Sequence, residues 1–352
     1  MSLTPSDTPP SAWSDRRGVV NVYHLHPLVA GALNGWAAEF ARIAAMGFGH
    51  VCLAPPFAPG GSGEIFVHAT LDRLHPALGF EGPAEQGIEQ AAAMAQRAGL
   101  TLMLDIAPGR VAAESPLRQE HPAWFAAPGG GAVADPRRRP QPVGVAVPRF
   151  ELAGCADTVA DWWIDRLARL VRAGVGGFRC LTLDVVPAPF WRQVRAALPE
   201  ALFVAWTPGV RDVRGFAGVG FDYTVSSAGW WDGRASWFFD EQAVLRDVAP
   251  ALASPEPSFL ERLASRLPPD ADVAEGCRLA LGIAAATGAG LFVPMGFEYA
   301  AARGFDTVRA GPDDMAAVRR EMAADLSSDV AAAIRLGATL PPAAELRPVT
   351  SP

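Results

Sequence analysis

The chain has 352 residues, of which 50% are hydrophobic and 19% charged, enough for a sizeable core in one large α/β barrel or two ordinary domains. Its net charge is −7 and its basic residues are all arginine, which argues against a nucleic-acid partner and excludes lysine chemistry such as a Schiff base. No apolar run of about 18 residues or more and no basic-then-apolar leader occurs, so neither a membrane span nor a secretion signal is expected and the expected location is cytoplasmic.

Taken in order, residues 1–17 are polar and Pro-rich and are expected to be disordered. Residues 18–338 read as one domain. Strand-like apolar runs fall at Val19–His24, His50–Ala54, Leu100–Ile106, Gly176–Cys180, Ala201–Ala205, Phe221–Val225 and Ala289–Val293, with a poorer one near Ser258–Leu260. Helical patterns lie between them at Gly35–Met46, Pro83–Ala98, Asp157–Ala173, Ala188–Leu198, Ala274–Thr287 and Pro312–Leu336. Several helices end at a glycine (Gly47, Gly99, Gly174) and pass directly into a strand. Such alternation predicts a parallel sheet, and eight β/α units predict a (β/α)8 TIM barrel. No G-x-G-x-x-G opens a helix after the first strand, so a dinucleotide site lacks support.

Long loops follow strand two (Pro55–Gly82) and strand three (Ala107–Ala156), on the face where barrels bind substrates. The run Arg137-Arg138-Arg139 in the second of them is either an anion grip or a solvated loop. Residues 339–352 form a Pro-rich tail. Cys52, Cys155, Cys180 and Cys277 form no C-x-x-C pair and read as buried thiols. His24 and His26 have no clustered Cys or acid nearby in sequence, so no metal and no cofactor is expected.

Several segments together resemble the α-amylase superfamily of glycoside hydrolases. "YHLHPLVAGALNGWAAEFARIAAMGFGHVCLAPPF" (Tyr23–Phe57) is similar to its first βαβ unit, and "LDRLHPALG" (Leu71–Gly79) to its sugar-site loop after strand two. Gly99–Phe125 resembles the third strand and its loop, "GVGGFRCLTLDVVPAPFW" the fourth-strand motif, "LFVAWTPG" the fifth and "LFVPMGFEYA" the eighth. Within the superfamily the likeness is to the maltose-1-phosphate maltosyltransferases of bacterial α-glucan synthesis, from about Val19 to Arg309.

The resemblance implies a retaining mechanism, in which two carboxyl groups about 5–5.5 Å apart flank the anomeric carbon. It also implies which positions carry them, and here they differ. The fourth-strand pattern G-F-R-x-D has Leu181 at the nucleophile position. The fifth-strand pattern F-L-A-E has Trp206 at the acid/base position. The His-Asp pair of strand seven has no counterpart in "PSFLERLASRLPPD", where Glu261 reads as a helix start. Asp105 opens the D-x-x-x-N-H pattern after strand three, but Gly109 and Arg110 replace its Asn and His. General acid–base assistance is worth about 10²–10⁴-fold, and a leucine cannot form the covalent intermediate. Standard glycosidic chemistry is therefore not expected. The family's N-terminal β domain and C-terminal β-sandwich are not expected in this chain either.

Asp72 and His75, Asp105, Arg179, Trp206 and Trp231 remain as candidate substrate-binding residues. Arg179 either pairs internally with Asp105 or Asp184, or takes an anionic ligand. Trp230, Trp231, Trp237, Phe238 and Phe239 either stack on sugars or pack. Glu298 is expected to orient Arg303 or another loop. Three functions stand side by side. A degenerate barrel would bind α-glucan, maltosaccharide or a partner enzyme of glycogen or trehalose metabolism. An active enzyme would use relocated acids drawn from Asp184, Asp105, Asp232 and Glu298. A scaffold sealed by Leu181 and Trp206 would act through its surface alone.

Overall fold

The computed structural model describes residues 19–126, 137, 144–152, 154–259 and 261–339. Eight parallel strands form one sheet: Val22–Leu25, His50–Leu53, Thr101–Ile106, Gly177–Cys180, Leu202–Ala205, Tyr223–Val225, Ala251–Leu252 and Phe292–Pro294. The first strand pairs with both the second and the eighth, and a parallel bridge from Ala253 to Leu291 joins the seventh to the eighth. The sheet is thereby a nearly closed barrel, as the alternation of runs predicts. At the closure Gly290 passes so near the first strand that a Cβ would lie 2.0 Å from the Val20 carbonyl oxygen, a spacing only glycine tolerates.

Parity sorts the side chains. Val20, Val22, Cys52, Met103, Leu202, Val204, Val225, Leu252 and Phe292 make one core inside the barrel. Strand neighbours of the other parity, such as Tyr23, Leu53, Leu104 and Phe203, join the larger core beneath the helices. The helix Cys155–Arg172 shows why these segments are helical: Val159, Ala160, Trp163, Leu167 and Leu170 recur at helical spacing and bury one face.

Four expectations are corrected. The seventh strand is Ala251–Leu252 and not Ser258–Leu260. Phe259 has φ 70°, incompatible with a strand, and Leu260 lies outside the described residues. The pattern Pro312–Leu336 is two helices, Pro312–Glu321 and Ser327–Gly337, separated at Met322 where ψ turns extended. A helix at Trp237–Arg246, unpredicted, precedes the seventh strand. The fifth and sixth strands are joined without an α-helix, by a 3-10 turn at Arg214–Phe216, so the β/α alternation is incomplete there.

The loop after the third strand folds a small antiparallel sheet of Val111–Ala112, Val145–Pro148 and Phe125–Ala126. Residues 1–17 and 340–352, with Arg138 and Arg139, lie outside the described residues. No described helix is long and apolar enough to cross a membrane. All four cysteines are buried and none forms a disulfide.

Candidate functional site

The C-terminal ends of the first, third and fourth strands bring three polar side chains into the barrel interior. Asp105 and Arg179 are direct neighbours in the strand register, so equal parity puts both on the inner face. Arg179 holds Asp105 with two bonds, Nε to Oδ1 at 2.6 Å and Nη2 to Oδ2 at 2.5 Å. His24 Nε2 lies 2.9 Å from Asp105 Oδ2 and 3.0 Å from Arg179 Nη2, and its Nδ1 lies 3.2 Å from Ser258 Oγ. The Cys52 thiol donates to Asp105 Oδ1 at 3.2 Å. None of His24, Asp105 and Arg179 is more than 3% exposed.

Aromatic rings enclose this cluster. The Arg179 guanidinium lies 4.6 Å from the Trp206 ring centre and 4.9 Å from that of Phe292. His24 stacks on Phe259 with centroids 4.5 Å apart. Burial alone would push the Asp105 carboxyl up. The Arg179 charge and then His24 outweigh it and hold the group well below the usual carboxylate range. Burial and the nearby Asp105 push the Cys52 thiol well up. The cluster is thus a fixed, ionised, internally bonded group with no carboxylate oxygen left over to attack or to protonate a ligand.

Leu181 and Trp206 cover the remainder. Leu181 is buried at the end of the fourth strand, its amide bonded to the Ile106 carbonyl. Trp206 leaves the fifth strand half-buried and packs against Phe292 and Trp230. Next along, Thr182 adopts φ 61° and its hydroxyl accepts the Gly109 amide at 3.0 Å, locking the third- and fourth-strand loops together. Thr182, Phe259 and Ala300 are the non-glycine residues with left-handed φ among the described residues, and each follows a barrel strand at this same end. Backbone strain of that kind persists where surrounding packing over-determines it.

The other predicted residues do not join the cluster. Asp72 accepts a bond from Arg166 and sits on the flank of the barrel. His75 caps the turn Pro76–Leu78 by accepting the Ala77 amide at 3.1 Å, and burial lowers its pKa. Trp231 donates to the Ala235 carbonyl and stacks on Phe238 with centroids 4.4 Å apart, so it is packed. Asp184 is exposed, in a groove of about 460 Å³ lined also by Leu183, Ala188, Val210, Arg211 and Phe216. Asp232 caps its own turn, with the Ala235 and then the Arg234 amide lowering its pKa. Glu298 accepts from Tyr23 at 2.6 Å and pairs with Arg42 at 2.9 Å. It does not reach Arg303, which pairs with Glu321. Arg137 lies 3.5 Å from Glu241, and the rest of the arginine run, Arg138 and Arg139, lies outside the described residues.

Sequence reasoning missed two things. His24 belongs to the cluster, and its even spacing from Val22 on an inward parity was the available signal. A second buried ion pair, Glu256 with Arg262 at 2.6 Å, braces the loop after the seventh strand, where Glu261 is exposed and outside the helix Leu263–Arg266. Among the described residues no group of three or more His, Cys, Asp or Glu is placed to hold a metal ion.

No protein-family model matches the chain. It is 34% identical over 291 residues to the α-1,4-glucan:maltose-1-phosphate maltosyltransferase of Burkholderia pseudomallei (strain K96243), covering 79% of this chain and 25% of that protein. It is 27% identical over 220 residues to the protein of the same name from Mycobacterium tuberculosis (strain ATCC 25618 / H37Rv), covering 55% of this chain and 30% of that one. The chain therefore spans less than a third of the length of these curated relatives. In three dimensions it is similar to an α-amylase from Lactobacillus plantarum, with TM-score 0.69 and 19% identity over 91% of this chain and 79% of that one.

Proposed function

From the premise that the chain is an α-amylase-type barrel with maltosyltransferase-like sequence, we propose that it is catalytically silent and binds α-glucan or maltosaccharide without turnover. The carrying observation is the buried Asp105–Arg179–His24 cluster under Trp206. The one acid at the centre of the barrel is spent on an internal ion pair, and Leu181 supplies no substitute beside it. Retaining chemistry needs two carboxyl groups with access to the anomeric carbon. Of the four acids that could stand in, Asp105 and Glu298 are buried and paired, Asp232 caps its own turn, and Asp184 alone faces an open groove. The maltosyltransferase likeness supports an α-glucan as the ligand class; a partner enzyme of glycogen or trehalose metabolism and a cytoplasmic setting belong to the same proposal.

Calorimetric titration with maltose, maltoheptaose and maltose 1-phosphate, followed by product analysis of the same samples, tests this. Binding heat without new products is the expected outcome. New products that disappear in Asp184→Asn would overturn the proposal in favour of a relocated acid. Absence of both heat and products would favour the second reading, a scaffold acting through its surface, which the covering of Arg179 by Trp206 supports.

A further inference from the structure

A cleft on the flank of the barrel is lined by two residues that each carry a buried nitrogen without a partner among the described residues. It lies between the loop after the second strand, the short helix Pro116–Glu120 in the loop after the third strand, and the helix Cys155–Arg172. His68, Asp72, Ser115, Glu120, Trp162 and Arg166 line it. His68 is 5% exposed, and its Nε2 meets no hydrogen-bond partner among the described residues; the same holds for Arg166 Nε. Buried polar atoms are nearly always bonded, and an exception calls for an occupant.

The chemistry of the walls narrows that occupant. Arg166 already gives one bond to Asp72, and Glu120 is exposed with no bond to any described residue. The lining residues thus carry two carboxylates to one guanidinium, a balance that disfavours a further anion. A neutral hydroxyl fits better, because it can accept from Arg166 Nε–H and donate to a carboxylate in turn. Burial, reinforced by the Arg110 charge, pushes the His68 imidazole down to about 4, so near neutral pH it offers one N–H and one lone pair. The cleft measures about 50 Å³, room for about four water-sized groups. A whole sugar ring exceeds that, whereas one edge of a ring does not. Arg166 also lies 5.2 Å from the Trp162 ring centre and so occupies one face of that ring.

We propose that this cleft is a carbohydrate site off the barrel axis, taking the vicinal-diol edge of one neutral sugar unit between His68, Arg166 and Glu120. The proposal rests on the glucan-binding reading above and names where that binding occurs. The test uses the full chain, with maltotriose as the probe, heat and side-chain ¹⁵N shifts of the histidines as readouts, and product analysis alongside. Expected are binding heat, a shift of His68 Nε2 on titration, and affinity weakened about tenfold in Arg166→Met and in the surface variant Glu120→Gln. Trp206→Ala should leave the affinity unchanged. Heat with His68 unshifted, and lost in Trp206→Ala, overturns this site while leaving the glucan reading intact. A His68 shift accompanied by new products keeps the site and removes the silent-barrel reading. Neither heat nor shift overturns both.

Discussion

Each oxygen of Asp105 is taken twice: Oδ1 by Arg179 Nε and the Cys52 thiol, Oδ2 by Arg179 Nη2 and His24. Replacing it with asparagine would leave Arg179 buried without a counter-charge, a loss of about 3–5 kcal/mol. Asp105→Asn is therefore expected to lower the urea midpoint strongly, and an unchanged midpoint would show that the pair carries no stability. The pH dependence has a definite sign. Because the folded carboxyl sits below its ordinary value, its contribution is complete above the usual aspartate range, near about 4, and is lost as pH falls through and below it. The variant should accordingly show a flatter stability profile in acid. The occupants of the barrel mouth were legible as residue types, since Leu181 and Trp206 stand where the resembling motifs carry acids. Their pairing was less so. His24 and Asp105 are 81 positions apart, and Tyr23 and Glu298 are 275 apart, so closure of the barrel and not local pattern joins them.

The loops after the third and fourth strands are fitted to one another through Gly109 and Thr182. A Cβ at Gly109 would lie 2.7 Å from Thr182 Oγ1 and 2.9 Å from Thr182 Cβ. Gly109→Asn, which installs the residue of the resembling motif, should cost about 1–3 kcal/mol through that overlap. Thr182→Gly, which also frees the left-handed φ, should recover part of the loss in a double-mutant cycle; strict additivity of the two changes would deny the coupling. Elements were readable where periodicity was strong. Seven strand runs and five helices fall at or near their predicted places, as in His50–Leu53 and Ala84–Arg97. The seventh strand was not readable because Ala251–Leu252, after Pro250, has no β-branched residue and only two paired positions. The helix Trp237–Arg246 was missed because it opens on three consecutive aromatics, which mask helical spacing.

At the scale of the whole molecule, the face that barrels of this kind use for chemistry is braced from within. Asp105 with Arg179, Glu256 with Arg262, and Glu298 with Arg42 place buried or half-buried ion pairs behind the third, seventh and eighth strands. Unspent hydrogen-bonding capacity remains on the flank, at His68 and Arg166, and also beyond the sixth strand, at Ser226 and Trp230.

Closure itself is uneven. The second and third strands share four register pairs, while the seventh and eighth meet through the single bridge from Ala253 to Leu291. In native-state amide exchange this seam is where the barrel should part first, since local opening follows the fewest cooperative bonds. The amides of Ala253 and Phe292, which bond across it, should exchange ahead of those of Val51–Leu53 and Leu102–Ile106, although all of these residues are buried from solvent. Equal protection would mean that the cylinder opens only as a whole.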